Sequence, residues 1–341
     1  MHDNERAGIL LINTGTPDAP RPPEVGAYLR EFLSDPRILD IPALTRWALL
    51  NFIILPKRKY RSAEAYSQIW TEEGAPLLVI MGELRDKVAE QLPNAVVELG
   101  MRYGSPSLED GVERLLEQGV DRIIAAPLFP QYSSAANGSV LEKLYRLLAV
   151  RWNVPPVSVL PPFFADPGFL DAWAAVARLY LEEFKPDHVL LSYHGLPERH
   201  VIKSDPTGAH CLRSEDCCAA DVPANRHCYR KQCLRTSAWL AQRLGLSSEG
   251  YETSFQSRLG KDAWIQPETD GLIQALPKRG VKRLAVLCPA FTVDCLETIE
   301  EIGLRGKEDF LNAGGSEYLM VPSLNAHPAW VEALANLLRA I

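Results

Sequence analysis

Gly119-Val120-Asp121-Arg122-Ile123-Ile124-Ala125-Ala126-Pro127-Leu128-Phe129 has an echo later in the chain, Gly280-Val281-Lys282-Arg283-Leu284-Ala285-Val286-Leu287-Cys288-Pro289-Ala290-Phe291. Each opens on a glycine, runs through apolar residues and breaks at a proline shortly before a phenylalanine. Each follows a helical pattern that begins at a proline, Pro106 or Pro267, and 13 residues separate proline from glycine in both. Upstream, Arg102-Tyr103-Gly104 and Ser257-Arg258-Leu259-Gly260 hold corresponding places. A serial match of this kind predicts two similar halves.

Outward from these segments, strand and helix signals alternate. Residues 8–13, 96–102, 122–127, 157–160, 188–194, 251–256, 283–288 and 317–321 read as strands. Helical patterns lie between them, among them 106–118, 166–184, 229–244, 268–276, 294–312 and 328–341. Such alternation predicts an α/β protein with parallel sheets covered on both faces. We expect two Rossmann-like, doubly wound domains facing a cleft. The first takes residues 1–162 plus a C-terminal helix, 326–341; the second takes 163–325. The carboxyl ends of both sheets would then line one site.

The 341 residues suffice for two such cores, and 47% hydrophobic with 23% charged residues is globular composition. A net charge of −7 argues against a nucleic-acid partner. Met1 to Gly8 are polar and charged with no apolar h-region, which points to the cytoplasm. Residues 41–56 form the most apolar stretch, yet they carry Arg46 and Asn51 and fall short of the ~20 residues a membrane span needs. Lys57, Arg58, Lys59 and Arg61 follow at once. Two readings stay open: a buried helix with a basic C-terminal cap, or an exposed apolar lip meeting a lipid surface or a greasy ligand.

Chemistry concentrates where strands end. Ser192-Tyr193-His194-Gly195-Leu196-Pro197 closes an apolar run on an imidazole, a base near neutral pH and a ligand for divalent metals. Taken alone, His194 is more simply a strand-capping histidine. Asp294, Glu297 and Glu301, at i, i+3 and i+7, are expected to share one helical face after the strand ending at Cys288. A solvated acidic face is the plainer account of that helix by itself. Asn13-Thr14-Gly15-Thr16-Pro17 turns on a glycine but lacks the G-x-G-x-x-G spacing of dinucleotide sites. Pro130-Gln131-Tyr132-Ser133-Ser134 follows a strand end, and Ser139 opens a helix where a propionate could dock. With Arg58, Tyr66 and Arg102-Tyr103, this mixture suits a planar, apolar, doubly acidic ligand.

The motifs resemble those of the ferrochelatase family, enzymes that insert ferrous iron into a porphyrin late in haem synthesis. The resemblance runs in order through Leu11-Ile12-Asn13, Arg102-Tyr103, Pro130-Gln131-Tyr132-Ser133, Ser192 to Pro197, Phe255-Gln256-Ser257-Arg258 and Trp264. It continues through Cys288-Pro289-Ala290-Phe291 with Asp294-Cys295-Leu296-Glu297-Thr298, and ends at Asn325-Ala326. It implies a chelatase-like fold, with His194 and Glu297 as the Fe2+ pair and Glu301 and Asp294 continuing an acidic path. Thr14, Arg58, Tyr66, Arg102, Tyr132, Ser139 and Trp264 become substrate contacts. Cys295, two residues before Glu297, is read as pointing elsewhere on the helix; mitochondrial relatives often have histidine there. The implied reaction makes protohaem from protoporphyrin IX. The alternatives are a chelatase for coproporphyrin or another tetrapyrrole, and a non-catalytic porphyrin or haem carrier, which would not need a base facing an acid row. A peripheral inner-membrane contact through 41–61 would go with the lip. The sequence does not speak to oligomeric state.

Cys211, Cys217, Cys218, Cys228 and Cys233 crowd residues 211–233, which in a cytosolic chain points to a metal rather than disulfides. No C-x-x-C knuckle is present, although zinc and a free-thiol patch stay open. The resemblance implies a 2Fe–2S cluster held by four of the five, with Cys233, at the opening of a helix, the weakest candidate.

Overall fold

The computed structural model describes residues 6–258, 260 and 262–341. Met1 to Glu5, part of the N-terminal reading, and Leu259 of the internal echo lie outside the described residues. The chain divides into two compact units: Met1–Leu128, Ser134–Pro161 and Val331–Ile341 form the first, and Phe129–Ser133 with Pro162–Trp330 the second.

Four parallel strands organise each unit. In the first they are β1 (Ala7–Asn13), β2 (Ala95–Met101), β3 (Arg122–Pro127) and β4 (Val157–Val159), in spatial order β2-β1-β3-β4. In the second they are β5 (His188–His194), β6 (Tyr251–Gln256), β7 (Arg283–Leu287) and β8 (Glu317–Met320), in order β6-β5-β7-β8. The two orders are the same, as the echo predicts. Small contacts repeat too: Met101 N–H donates to Pro106 O, and Phe255 N–H donates to Pro267 O. Both prolines follow cis bonds.

The central strands β1 and β5 are buried on both faces. Ile9 to Ile12 and Val189 to Leu191 are no more than 2% exposed, so they read as unbroken apolar runs rather than as alternation. Each such side chain contributes roughly 1.5–3 kcal/mol on burial. Helix boundaries follow local chemistry. Ser107 and Asp110 form a capping box at the helix Leu108–Glu117. Asp166 caps Phe169 N–H ahead of Pro167, and Gly245 ends Tyr229–Leu244 in the left-handed region.

Three helical segments depart from the sequence expectation. The stretch expected as one helix over 294–312 begins later and winds as a π-helix over Glu297–Arg305 before the α-helix Gly306–Asn312. Its wider turn leaves the Ile302 carbonyl to the Tyr318 hydroxyl, which donates to it at 2.8 Å. A second π-turn, Leu50–Ile54, joins the helix Ala43–Leu49 to Leu55–Ile69. Lys57, Arg58, Lys59 and Arg61 therefore lie in the first turns of a continuing helix, not at a helix C-terminus. Trp47 and Phe52, five apart, meet edge to face across that π-turn at 5.5 Å. Leu44, Trp47, Phe52 and Ile53 are exposed, while Leu50 and Leu55 are buried. The apolar stretch is an exposed lip, not a buried helix. The third π-turn, Ser134–Gly138, precedes Ser139–Ala149, so Ser139 lies inside a helical run rather than at its open start.

Candidate active site

His194 is the last residue of β5, paired with Gln256 at the end of β6. Its Nδ1 lies 2.7 Å from Gly195 O. A carbonyl only accepts, so Nδ1 carries a proton, and in the neutral ring Nε2 is the nitrogen with the free lone pair. The Tyr229 hydroxyl holds the His194 carbonyl at 2.8 Å. The chain can turn this sharply because residue 195 is glycine: a Cβ there would come within 2.8 Å of Gln256 O and 3.1 Å of the Trp264 ring. Trp264, almost buried, thus backs the turn that presents the imidazole.

Gln256 ties this strand end to the acidic segment. Its backbone carbonyl accepts from Gly195 N–H, and its Nε2 donates to the Glu297 carbonyl at 3.1 Å. Its Oε1 accepts from the Ser192 hydroxyl. The backbone after His194 and the backbone of Glu297 are therefore both fixed to one buried residue, Gln256. Glu301 accepts two hydrogen bonds from Ser257, from N–H at 2.8 Å and from Oγ at 2.7 Å. Burial nevertheless pushes its carboxyl up to about 7, outweighing those bonds, and the nearby Glu297 charge adds to the rise. Ser257 sits at φ 67, a left-handed conformation uncommon for serine, and there it aims both donors at Glu301.

Two residues lie elsewhere than sequence spacing suggests. Asp294 precedes the helix and is buried. Its carboxylate accepts from Asn325 Nδ2 at 2.8 Å, Thr298 Oγ1 at 2.9 Å and Ser323 N–H. It pins the loop 323–325 and does not continue a helical face with Glu297. Cys295 also precedes the helix, and its thiol is in hydrogen-bond contact with Glu297. Burial raises that thiol and the Glu297 charge adds to it, so Cys295 is a protonated donor to Glu297. The expectation that it points elsewhere assumed a helix that has not yet begun there.

Tyr132 belongs to the second unit, where its N–H donates to Gln232 Oε1 at 2.6 Å and its ring meets His227. Trp264 belongs to the second unit as well, whereas Thr14, Arg58, Tyr66, Arg102 and Ser139 belong to the first. Thr14 O accepts from Tyr103 N–H, and the next residue, Gly15, has φ +105, where a Cβ would overlap Tyr103 O. Tyr28 donates to Gly15 O and packs edge to face on Tyr66. Arg58 is half-buried.

Arg102 and Ser139 converge, but on a carboxylate absent from the sequence reading. Asp35 accepts from Arg102 Nη2 at 2.6 Å, Ser139 Oγ at 2.5 Å, Tyr103 Oη at 2.9 Å and Arg37 N–H at 2.7 Å. Burial works against its charge, but the hydrogen bonds and the Arg102 guanidinium prevail and hold the carboxyl below its ordinary range. Asp35 carries no motif of its own; Gln256 and Ser257 lie in the Phe255-Gln256-Ser257-Arg258 stretch at a strand end, where the sequence reading gave them no role.

In the cysteine segment, Cys228 is in hydrogen-bond contact with both Cys211 and Cys218, and the Cys217 and Cys218 sulfurs are 3.8 Å apart. Arg230 Nη1 points at Cys218 Sγ from 3.5 Å. Cys233 lies in the second turn of Tyr229–Leu244, not at its opening. It is fully buried beside Tyr229, and Cys218 of that group comes near enough to add to the rise of its thiol. Among the described residues, no three His, Cys, Asp or Glu side chains converge on a single metal-ion position. None of the helices is long and apolar enough to cross a membrane, again among the described residues.

A family model described as Ferrochelatase matches residues 6–340. A ferrochelatase of Coxiella burnetii (strain CbuK_Q154) is 45% identical over 338 residues, covering 99% of this chain and 94% of its own. That of Azotobacter vinelandii is 48% identical over 332 residues, 97% and 98% of the two chains. Among solved structures, the sirohydrochlorin chelatase SirB from Bacillus subtilis subspecies spizizenii in complex with cobalt superposes with a TM-score of 0.53. It covers 98% of this chain and 94% of its own; at 12% identity the likeness is one of fold.

Proposed function

Because the chain belongs to the ferrochelatase family, we propose that it is a lyase that inserts Fe2+ into protoporphyrin IX to form protohaem in haem biosynthesis. The observation that carries this reading is the His194 tautomer: Nδ1–H spent on Gly195 O leaves Nε2 as a base at a strand end, tied through Gln256 to Glu297. Insertion forms four iron–nitrogen bonds and releases two pyrrole protons. His194 Nε2 accepts pyrrole protons. Glu297 is its partner at Fe2+, the substrate metal, and nitrogen and oxygen donors hold ferrous iron without trapping it as thiolates would. Glu301, with a carboxyl near 7, is suited to take a proton at neutral pH and pass it on. Trp264 and Tyr132 contact the macrocycle. Thr14, Arg58 and Tyr66 are assigned as substrate contacts on family resemblance, and Arg102 with Ser139 as residues organised by Asp35.

The exposed Leu44, Trp47, Phe52 and Ile53, followed by Lys57, Lys59 and Arg61, support a peripheral contact with an anionic lipid surface. We assign the enzyme to the cytoplasm, at the face of that surface. Cys211, Cys217, Cys218 and Cys228 would hold a 2Fe–2S cluster. The neighbouring Cys217 and Cys218 sulfurs, with Cys228 beside Cys211 and Cys218, support this assignment for a centre that takes two thiolates per iron. Such a cluster supplies a one-electron redox centre.

The test is anaerobic iron insertion by wild type and His194→Ala, with protoporphyrin and coproporphyrin side by side. The variant is expected to fold, bind protoporphyrin and fail to metallate it. Near-normal turnover removes the assignment of His194, and a preference for coproporphyrin removes that of the substrate.

A further inference from the structure

A cavity of about 480 Å³ lies within the second unit, away from His194 and the acidic segment. Its wall includes Lys231, Arg235 and Trp239, spaced i, i+4 and i+8 and so aligned on one face of Tyr229–Leu244. Phe164 runs nearly parallel to Trp239, 21° between planes with centroids 6.3 Å apart, and both are half-buried, leaving an aromatic wall. Arg226 completes the lining cations, and Asp221 is the one lining carboxylate.

This charge balance favours an anion. Three cations face one acid in a chain whose net charge is −7, so the local excess opposes the sign of the whole molecule. Asp221, 73% exposed, pairs with both Lys231 and Arg235. The exposed Arg226 guanidinium has no ion-pair partner among the described residues. An entering anion therefore meets one uncommitted guanidinium, and a second held by a carboxylate that water can readily take back. The volume falls within the usual range for small-ligand sites.

We propose that this cavity binds a small aromatic anion, a planar ring bearing a phosphate or carboxylate, with the ring on the Trp239–Phe164 wall and the anion on Arg226 and Arg235. The site also touches the cysteine segment. Lys231 donates to Asn225 Oδ1 at 2.6 Å, and Asn225 Nδ2 donates to the Cys217 and Ala220 carbonyls. A ligand that draws Asp221 from Lys231 thus acts on the residue bracing the Cys217-Cys218 turn.

Calorimetric titration of the purified protein with adenosine 5′-monophosphate, 1-naphthoate and inorganic phosphate tests this. At least one aromatic anion is expected to saturate the protein, with inorganic phosphate about tenfold weaker for want of stacking. Adenosine monophosphate binding better marks a phosphate ester as the natural class, and naphthoate binding better marks a carboxylate. Arg226→Ala, at an exposed position, is expected to weaken binding about tenfold or more while leaving iron insertion unchanged. Trp239→Leu removes the advantage over phosphate. Absence of binding by both aromatic anions up to about 5 mM overturns the proposal. So does equal affinity in wild type and Arg226→Ala.

Discussion

Replacing Glu301 by glutamine gives a direct reading of the charge stored at the acidic segment. Burial, against two hydrogen bonds from Ser257, lifts this carboxyl from its ordinary 4.5 to about 7. That interval is worth about 3 kcal/mol. The native state therefore keeps a proton that the unfolded chain releases. The stability this proton supplies is complete below pH 4.5 and is lost as pH rises through about 7. Glutamine cannot ionise and is spared that loss. Its amide still serves both Ser257 donors' positions, at a cost of about 1 kcal/mol for the lost charge-assisted bond. Between pH 5.5 and 8.5 the stability of Glu301→Gln relative to wild type should rise by about 2 kcal/mol, or roughly 4–8 °C in Tm. Thermal unfolding across that range measures it. Melting curves of variant and wild type that stay parallel over the interval would refute the reasoning. Iron insertion should fall in the same variant, because the amide cannot accept a proton.

Gly195→Ala drives a methyl group toward Gln256 O and the Trp264 ring. It should cost about 1–3 kcal/mol in unfolding and lower kcat, and a variant with wild-type Tm and turnover contradicts the packing argument. Asp35→Asn should cost about 3 kcal/mol at pH 7 by leaving Arg102 partly buried without its counter-charge. The Asp35 carboxyl is held below its ordinary range, so its contribution is present above pH 3.8 and disappears on acidification. In urea denaturation the gap between the two proteins should narrow as pH falls below 3.8, and a constant gap would count against this. Cys233→Ser should retain visible absorbance and acid-labile sulfide, whereas serine at 211, 217, 218 or 228 should reduce both. The opposite pattern would reassign the ligands.

The strands were legible with little error, because a strand buried on both faces is an apolar run that glycine and proline delimit. Residues 122–127, 188–194 and 251–256 agree with β3, β5 and β6 at both ends. His194 was legible for the same reason, as the polar residue at which such a run stops. The π-helices were not. Glu297 to Arg305 has the composition of an α-helix, and the wider winding depends on Tyr318, on another strand, claiming the Ile302 carbonyl. That error carried Asp294 onto a helix face with Glu297 and turned Cys295 away from Glu297, though both precede the helix. Asp35 was missed because its partners, residues 37, 102, 103 and 139, meet it only once the first unit is folded.

By itself, then, the sequence determined the repeated β-α order, the imidazole at a strand end and the crowding of cysteines. These depend on neighbours along the chain. Tertiary structure decided how the strand end at His194 is tied to Glu297, which carboxyl stays protonated near neutrality and which cysteines stand together. Each of those turns on burial or on a neighbour supplied from elsewhere in the fold: burial for Glu301, Cys228 for Cys211, Gln256 for the link from His194 to Glu297.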